Sequence, residues 1–216
     1  PGSETGVALA TGMVESGSGR ESVVTAPGPG EAPLIKTFRY DLYEPTARAR
    51  ANGTTPQGHS TKPNEPRMTS QFMAYDEGYT GGVGLSTGWV AGAEGGAKSI
   101  LTSQLAGAGT VRTWSSGSLL DGQPGIYLDD PNHHEENAKY AQVASFAPFP
   151  GGTTVATTST TVGADLLVAG VTPAGQEVRR YTLGRSAPNA TTLDPKLAAT
   201  LPPIPGLTGA APLGGR

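Results

Sequence analysis

The strongest constraint on this chain is a three-fold internal repeat, and its clearest mark is one short strand template. Leu34-Ile-Lys-Thr-Phe38, Thr110-Val-Arg-Thr-Trp114 and Glu177-Val-Arg-Arg-Tyr181 each run through an aliphatic residue, a cation, a spacer and an aromatic. On a strand, alternate side chains share a face. The aliphatic residue therefore lies with the spacer, and the cation with the aromatic. A unit repeated at fixed period cannot bury its apolar face alone and has to stack on its neighbours.

The rest of each unit follows the same order. Copy one reads Gly6-Val-Ala-Leu-Ala-Thr-Gly12, then Ser22-Val-Val-Thr25, then a turn from Pro27 to Gly30, and the template closes it. Copy two opens on Phe72-Met-Ala-Tyr-Asp76 and Tyr79-Thr-Gly-Gly-Val83 and continues through Ser99-Ile-Leu-Thr102. Copy three opens on Ala144 to Phe149, then Phe149-Pro-Gly-Gly-Thr-Thr-Val-Ala-Thr157, and continues through Asp165-Leu-Leu-Val168. The units start at Val7, Val83 and Thr153, which lie 76 and 70 residues apart. Common propeller blades repeat at roughly 40–50 residues, so loops must be inserted. The sequence places these loops at 46–70 and 119–140.

Composition agrees with short strands. Glycine (32) and proline (19) are abundant and charged residues make up 15%, which favours turns over long helices. The net charge of -3 is too small to point to nucleic acid or a membrane surface. Without cysteine there is no disulfide, thiolate metal site or thiol nucleophile. No apolar run nears the roughly 20 residues of a membrane span; the longest, Leu166 to Val171, is broken by Gly170. A start at Pro1, without Met or a signal segment, leads us to expect a processed or excised piece of something longer.

Phe72-Met-Ala-Tyr-Asp76, Tyr79-Thr-Gly-Gly-Val83, Val23-Val-Thr25 and Gly28-Pro-Gly30 together resemble the FG-GAP/VCBS repeat family, the integrin-α-like β-propellers. The resemblance covers Gly6 to Phe38, Gln71 to Trp114 and Ala144 to Tyr181. It implies an all-β fold of about three propeller blades, at 6–45, 71–118 and 141–183. Such a set is incomplete, and another chain or a missing N-terminal part is expected to complete it. Copy one has only Pro1 to Thr5 where copy two has its aromatic strand, so one strand is expected to be missing. Residues 184–216, rich in proline and glycine, are expected to form an extended tail without regular structure.

Calcium-binding members of that family hold the ion with alternating aspartates. Here those positions carry Met13, Glu15, Ser18 and Ser22 in copy one, Trp89, Glu94 and Ser99 in copy two, and only Asp165 in copy three. One or two carboxylates per loop seldom hold calcium, so no blade is expected to bind it and no cofactor is expected. Asp129-Asp130-Pro-Asn-His133-His134-Glu135-Glu136 has the residue types for zinc or another divalent ion. Adjacent residues of an extended chain point opposite ways, so a solvated polar loop is the expectation there. His59 sits in a Pro/Thr-rich loop, and no nucleophile elbow, Walker or dinucleotide motif is present.

Trp89, Trp114, Tyr75, Tyr79 and Phe72 would serve either as a ligand-stacking surface or, as favoured here, as packing between sheets. Lys36, Arg112 and Arg179 would form a basic stripe or cap strand faces. Asn52-Gly-Thr54 and Asn189-Ala-Thr191 fit the glycosylation sequon, but the alanine- and glycine-heavy composition looks bacterial. No catalytic group assembles, so the expected function is a non-catalytic, extracytoplasmic binding or structural module working through protein–protein assembly. The alternatives are an accessory scaffold subunit of a larger extracytoplasmic enzyme or electron-transfer complex, and a carbohydrate-binding propeller.

Overall fold

The computed structural model describes residues 6–15, 21–40, 66–90, 97–116, 140–160, 163–185, 187, 190 and 192–202. Among them there are twelve strands and no helix. They make three antiparallel four-stranded sheets, each a meander in chain order. The first sheet holds β1 (Val7–Gly12), β2 (Ser22–Pro27), β3 (Leu34–Tyr40) and β4 (Pro66–Met73). The second holds β5 (Val83–Gly88), β6 (Ser99–Gln104), β7 (Val111–Ser116) and β8 (Tyr140–Phe146). The third holds β9 (Thr153–Thr160), β10 (Gly163–Thr172), β11 (Gly175–Arg185) and β12 (Leu193–Leu201).

The repeat holds at the level of register. Lys36 stands opposite Thr25, Arg112 opposite Thr102 and Arg179 opposite Val168. The aromatics Phe38, Trp114 and Tyr181 stand opposite Val23, Ile100 and Leu166. The third and fourth strands then slip register once, between Thr37 and Phe38, Thr113 and Trp114, and Arg180 and Tyr181. A bulge inserts one extra residue and sharpens the local twist. The extra residues, Thr69, Val143 and Ala198, are therefore equivalent.

These pairings correct five expectations. The template strand is the third of each sheet, not the last. The inserted loops interrupt a sheet between its third and fourth strands, and residues 66–70 belong to β4. Phe72 and Met73 end β4 of the first sheet, and β8 ends at Phe146, so neither Phe72-Asp76 nor Ala144-Phe149 opens a unit. The first sheet has its four strands and lacks none. Finally, residues 184–216 are not wholly irregular: β11 runs on to Arg185, and Leu193–Leu201 pairs with it. Pro195 is tolerated because β12 is an edge strand, where a missing N–H can face outward. The sequence units are thus 7–73, 83–146 and 153–201, and residues 203–216 lie outside the described set.

Each sheet has a front, bearing the template's cation and aromatic, and a back, bearing its aliphatic residue and spacer. Sheets stack front to back in chain order, β1 beside β5 and β5 beside β9. Val24, Ala26 and Ile35 on the first back pack with Val83 and Trp114 on the second front. Leu101, Val111 and Val143 on the second back pack with Val155, Leu166, Val168 and Tyr181 on the third front. Each fully buried aliphatic side chain of this kind contributes about 1.5–3 kcal/mol. Equivalent threonines tie the first strands together: Thr157 Oγ1 donates to the Thr87 carbonyl at 2.7 Å, and Thr87 Oγ1 to the Thr11 carbonyl at 2.6 Å.

The Gly-Gly pairs serve this close approach. Gly82, at φ +84°, packs on Pro29 in the turn between β2 and β3. Its equivalent Gly152 lies under the Leu105 carbonyl oxygen, where any Cβ would collide with backbone. Gly184, within β11, has open space on its Cβ side. Gly152→Ala is therefore expected to lose about 2 kcal/mol or more in urea unfolding, while Gly184→Ala stays within about 0.5 kcal/mol or gains. Equal effects of the two substitutions would contradict the stacking described.

Candidate functional site

Two clamps join the sheets, built from the same parts. Where the chain leaves β4 and crosses to the second sheet, Ala74 and Tyr75 lie over the second front. Arg112 Nη1 donates to the Ala74 carbonyl at 2.9 Å, and its guanidinium sits 4.9 Å from the Tyr75 ring centroid. Where the chain leaves β8, Arg179 Nη1 donates to the Pro148 carbonyl, and its guanidinium sits 4.3 Å from the Phe149 ring centroid. Arg179 also pairs with Glu177 at 2.6 Å. Tyr75 donates to the Thr110 carbonyl at 2.9 Å, and Trp114 Nε1 donates to Thr102 Oγ1 at 3.0 Å.

A buried polar cluster holds the outer part of the junction between the first two sheets. Glu15 has a side chain with no exposure; its carboxylate accepts from Thr69 Oγ1 and, at 3.3 Å, from Arg39 Nη1. Thr37 and Thr69 hydroxyls meet at 2.9 Å. Tyr140 enters from the second sheet, beside Phe72 at 5.3 Å between ring centroids. Its hydroxyl is buried without a hydrogen-bond partner among the described residues. Burial, and then the Glu15 charge, push its pKa above the ordinary phenol range. Burial does the same for Tyr75. The carboxylate, the guanidinium and the threonine hydroxyls are buried and bind one another, so the cluster fastens sheets together.

Among the described residues, the first front has no counterpart of these clamps. Lys36 occupies the place of Arg112 and Arg179, yet no linker carbonyl or ring covers it among the described residues. Val7 is 54% exposed where its equivalent Val83 is 1% exposed, and Leu9 is 67% exposed where its equivalent Val155 is 4% exposed. Met68 and Met73 extend the same exposed apolar face. At the far end, the third back shows exposed Val171 and Leu201. There Arg180 stands 3.7 Å from Asp165, at positions where the other sheets bury Thr37 and Thr113, and Ser22 and Ser99.

Of the residues singled out from sequence, Phe72, Tyr75, Tyr79 and Trp114 pack in the junction of the first two sheets, and Trp89 is half-buried. Asp165 pairs with Arg180 and meets no other candidate ligand. No cluster of three or more metal-ligating side chains occurs among the described residues. Asp129, Asp130, His133, His134, Glu135 and Glu136 lie outside them, as do His59, Glu94, Ser18, Asn52 and Asn189. Sequence reasoning missed Arg39, although alternation from Ile35 and Thr37 already places it on the packed face. Comparison with family models, with curated proteins and with solved structures returns no match.

The clamps predict unequal effects for equivalent cations. Arg112→Met and Arg179→Met keep an apolar stem but lose the charge, and each is expected to cost about 1–2 kcal/mol in urea unfolding. Lys36→Met should change stability by less than about 0.5 kcal/mol, since no clamp among the described residues holds it.

The buried phenols make stability depend on alkaline pH. A phenol held protonated in the fold releases its proton near pH 10 when the chain unfolds. Stability is thus complete below about pH 10 and falls as pH rises beyond it, by about 1.4 kcal/mol per pH unit for each such group. Thermal melts between pH 8 and 11 should show this fall. Tyr140→Phe should make it shallower while leaving neutral-pH stability unchanged or higher, because the lost hydroxyl is unpartnered.

Proposed function

We propose that this chain is a non-catalytic assembly module, a set of three propeller blades of the FG-GAP/VCBS type that a protein partner completes. One observation carries this: the positions that the second and third sheets bury at their fronts, the first sheet exposes. Val7, Leu9 and Lys36 have the side chains of a covered face and no cover among the described residues. The front-to-back stacking of meanders, with first strands side by side, supports the propeller reading. An apolar face of this kind on a protein surface marks an interaction site.

The carbohydrate alternative has less to draw on, since four of the five aromatics it would need pack between sheets. The resemblance supports an extracytoplasmic setting, and the alanine- and glycine-heavy composition a bacterial one. Redox or hydrolytic chemistry, if the assembly performs any, then resides in the partner.

A photo-crosslinking residue at position 9 tests the proposal, with position 77, on the exposed turn between the first and second sheets, as control. In extracts of the source organism, or in the pure protein, position 9 should give one discrete polypeptide adduct and position 77 none. The absence of any adduct at position 9 would sink the assembly function.

A further inference from the structure

The backs of the first and second sheets share three features that the back of the third lacks. The first is a glycine at the end of the first strand. Gly12 stands opposite Ser22, Gly88 opposite Ser99 and Thr158 opposite Asp165, so the three places are equivalent. A Cβ on Gly12 would come within 2.9 Å of the Thr87 side chain, and one on Gly88 within 2.6 Å of the Thr157 side chain. Each of these threonines belongs to the next sheet, and their equivalent on the first front is Thr11. The third sheet carries an exposed threonine, Thr158, at the place where such a contact admits no side chain.

The second feature is the absence of charge at two places beside that glycine. Ser22 and Ser99 stand where the third sheet has Asp165, and Thr37 and Thr113 where it has Arg180; all four hydroxyl residues are buried. Asp165 and Arg180 meet at 3.7 Å, with the Arg180 side chain 47% exposed. Covering them would take two charges out of water, and one contact of that length does not offset the loss.

The third feature is a strap. After β1 the chain crosses to the second sheet: the Lys98 N–H donates to the Met13 carbonyl at 2.7 Å, the Ser116 hydroxyl donates to the Val14 carbonyl at 2.5 Å, and the Val14 side chain is buried in the junction. After β5 it runs through Trp89 to Val90, which is buried in the next junction and bridges to Ala164, the equivalent of Lys98. Both straps begin Gly-x-Val. After Thr158 the chain instead continues its own hairpin. Ser159 and Thr160 pair with Ala164 and Gly163, which leaves two residues for the turn. A two-residue turn that returns to its own sheet cannot also cross the roughly 10 Å to another.

We propose that these differences reserve the first front for an unlike partner. The third back of a second copy is kept off it by the bulk of Thr158, by the Asp165–Arg180 pair and by the missing strap. The front takes instead an antiparallel sheet whose back has a glycine at the end of its first strand, uncharged residues beside that glycine and a Gly-x-Val strap. The two inner junctions supply the pattern, since each covers an equivalent front with a back of that kind. Misplaced bulk and uncompensated charge set against the wrong partner are how an interface selects the right one. This inference rests on the assembly function proposed above and states which face the partner brings.

The test converts one copy into a donor. The donor is the full chain with Thr158→Gly, Asp165→Ser and Arg180→Thr, which give the third sheet the residues of the first two, and Leu9→Asp, which spoils its own front. In sedimentation velocity from about 0.5 to 200 µM, donor and wild type should each run as monomers alone. Mixed in equal amounts, they should form a species of twice the 21.9 kDa chain mass and nothing larger. Leu9→Asp alone, mixed with the wild type, should form none. A cooperative melt checks that the donor is folded. Thr158→Gly with Leu9→Asp serves as a second donor, expected to pair at least ten-fold more weakly. A wild-type chain that dimerises by itself, and loses the dimer on Leu9→Asp, would show that a copy does fit the front and would overturn the inference. Failure of both donors to pair with the wild type overturns it too. If position 9 still cross-links to a different polypeptide in that case, the assembly function stands and only this inference falls.

Discussion

A β-sheet that is apolar on both faces has to be covered twice, and the architecture of this chain is set by how that requirement is met. A sheet with one wet face can stand at a surface; Ile35 and Phe38, Val111 and Trp114, and Val178 and Tyr181 leave none of these sheets such a face. The second sheet is satisfied because it lies between two others. The first and third are each satisfied on one side. The front of the first is left with aliphatic side chains in water, and the third has a charged pair set into its back. Stacking, and not strand pairing, is therefore the interaction on which the fold depends, and the cores form between sheets and not within them.

Much of this was legible from alternation. The third-strand template separated Lys36 and Phe38 from Ile35 and Thr37 correctly in all three units, because a two-residue period needs no tertiary knowledge. The fourth strands were not legible in the same way. Sequence-adjacent strands usually pair, so Phe72 looked like the start of the second unit; its true partner, Ile35, lies beyond a long interruption. The strand Leu193–Leu201 was hidden by Pro195 and by a run of small and polar residues. Edge position excuses both, but a single sequence does not announce an edge. The meeting of Glu15 with Arg39 was hidden for a further reason. Alternation shows which way Arg39 points, while the carboxylate that meets it comes from a different strand connection, which only the folded sheet brings near.

The two junctions and the back of the third sheet are graded. Between the first two sheets, aromatic rings, two clamping groups and the buried Glu15–Arg39 pair act together. Between the second and third, the clamp is kept, Ser115 stands at the place of Arg39, and Val143, at the place of Thr69, lies in an apolar core. On the third back, Arg180 and Asp165 break the pattern. A repeat that ends a stack commonly carries polar groups on its outer side, which discourages indiscriminate stacking. Here the polar groups are few and the apolar surface around them is kept.

The connections between third and fourth strands have a consequence for how such a chain changes over time. They depart at Tyr40, Ser116 and Arg185, equivalent points on one rim of the stack, and rejoin at Pro66, Tyr140 and Leu193. None of the clamps, threonine bonds or Gly-Gly contacts involves that rim. Length can thus vary between those points, from a short link in the third unit to long ones in the first two, while Tyr140 and Ser116, at the rim itself, keep their contacts with the first sheet. The same rim offers a protein engineer a row of neighbouring insertion points on a frame that does not need to be redesigned to accept them.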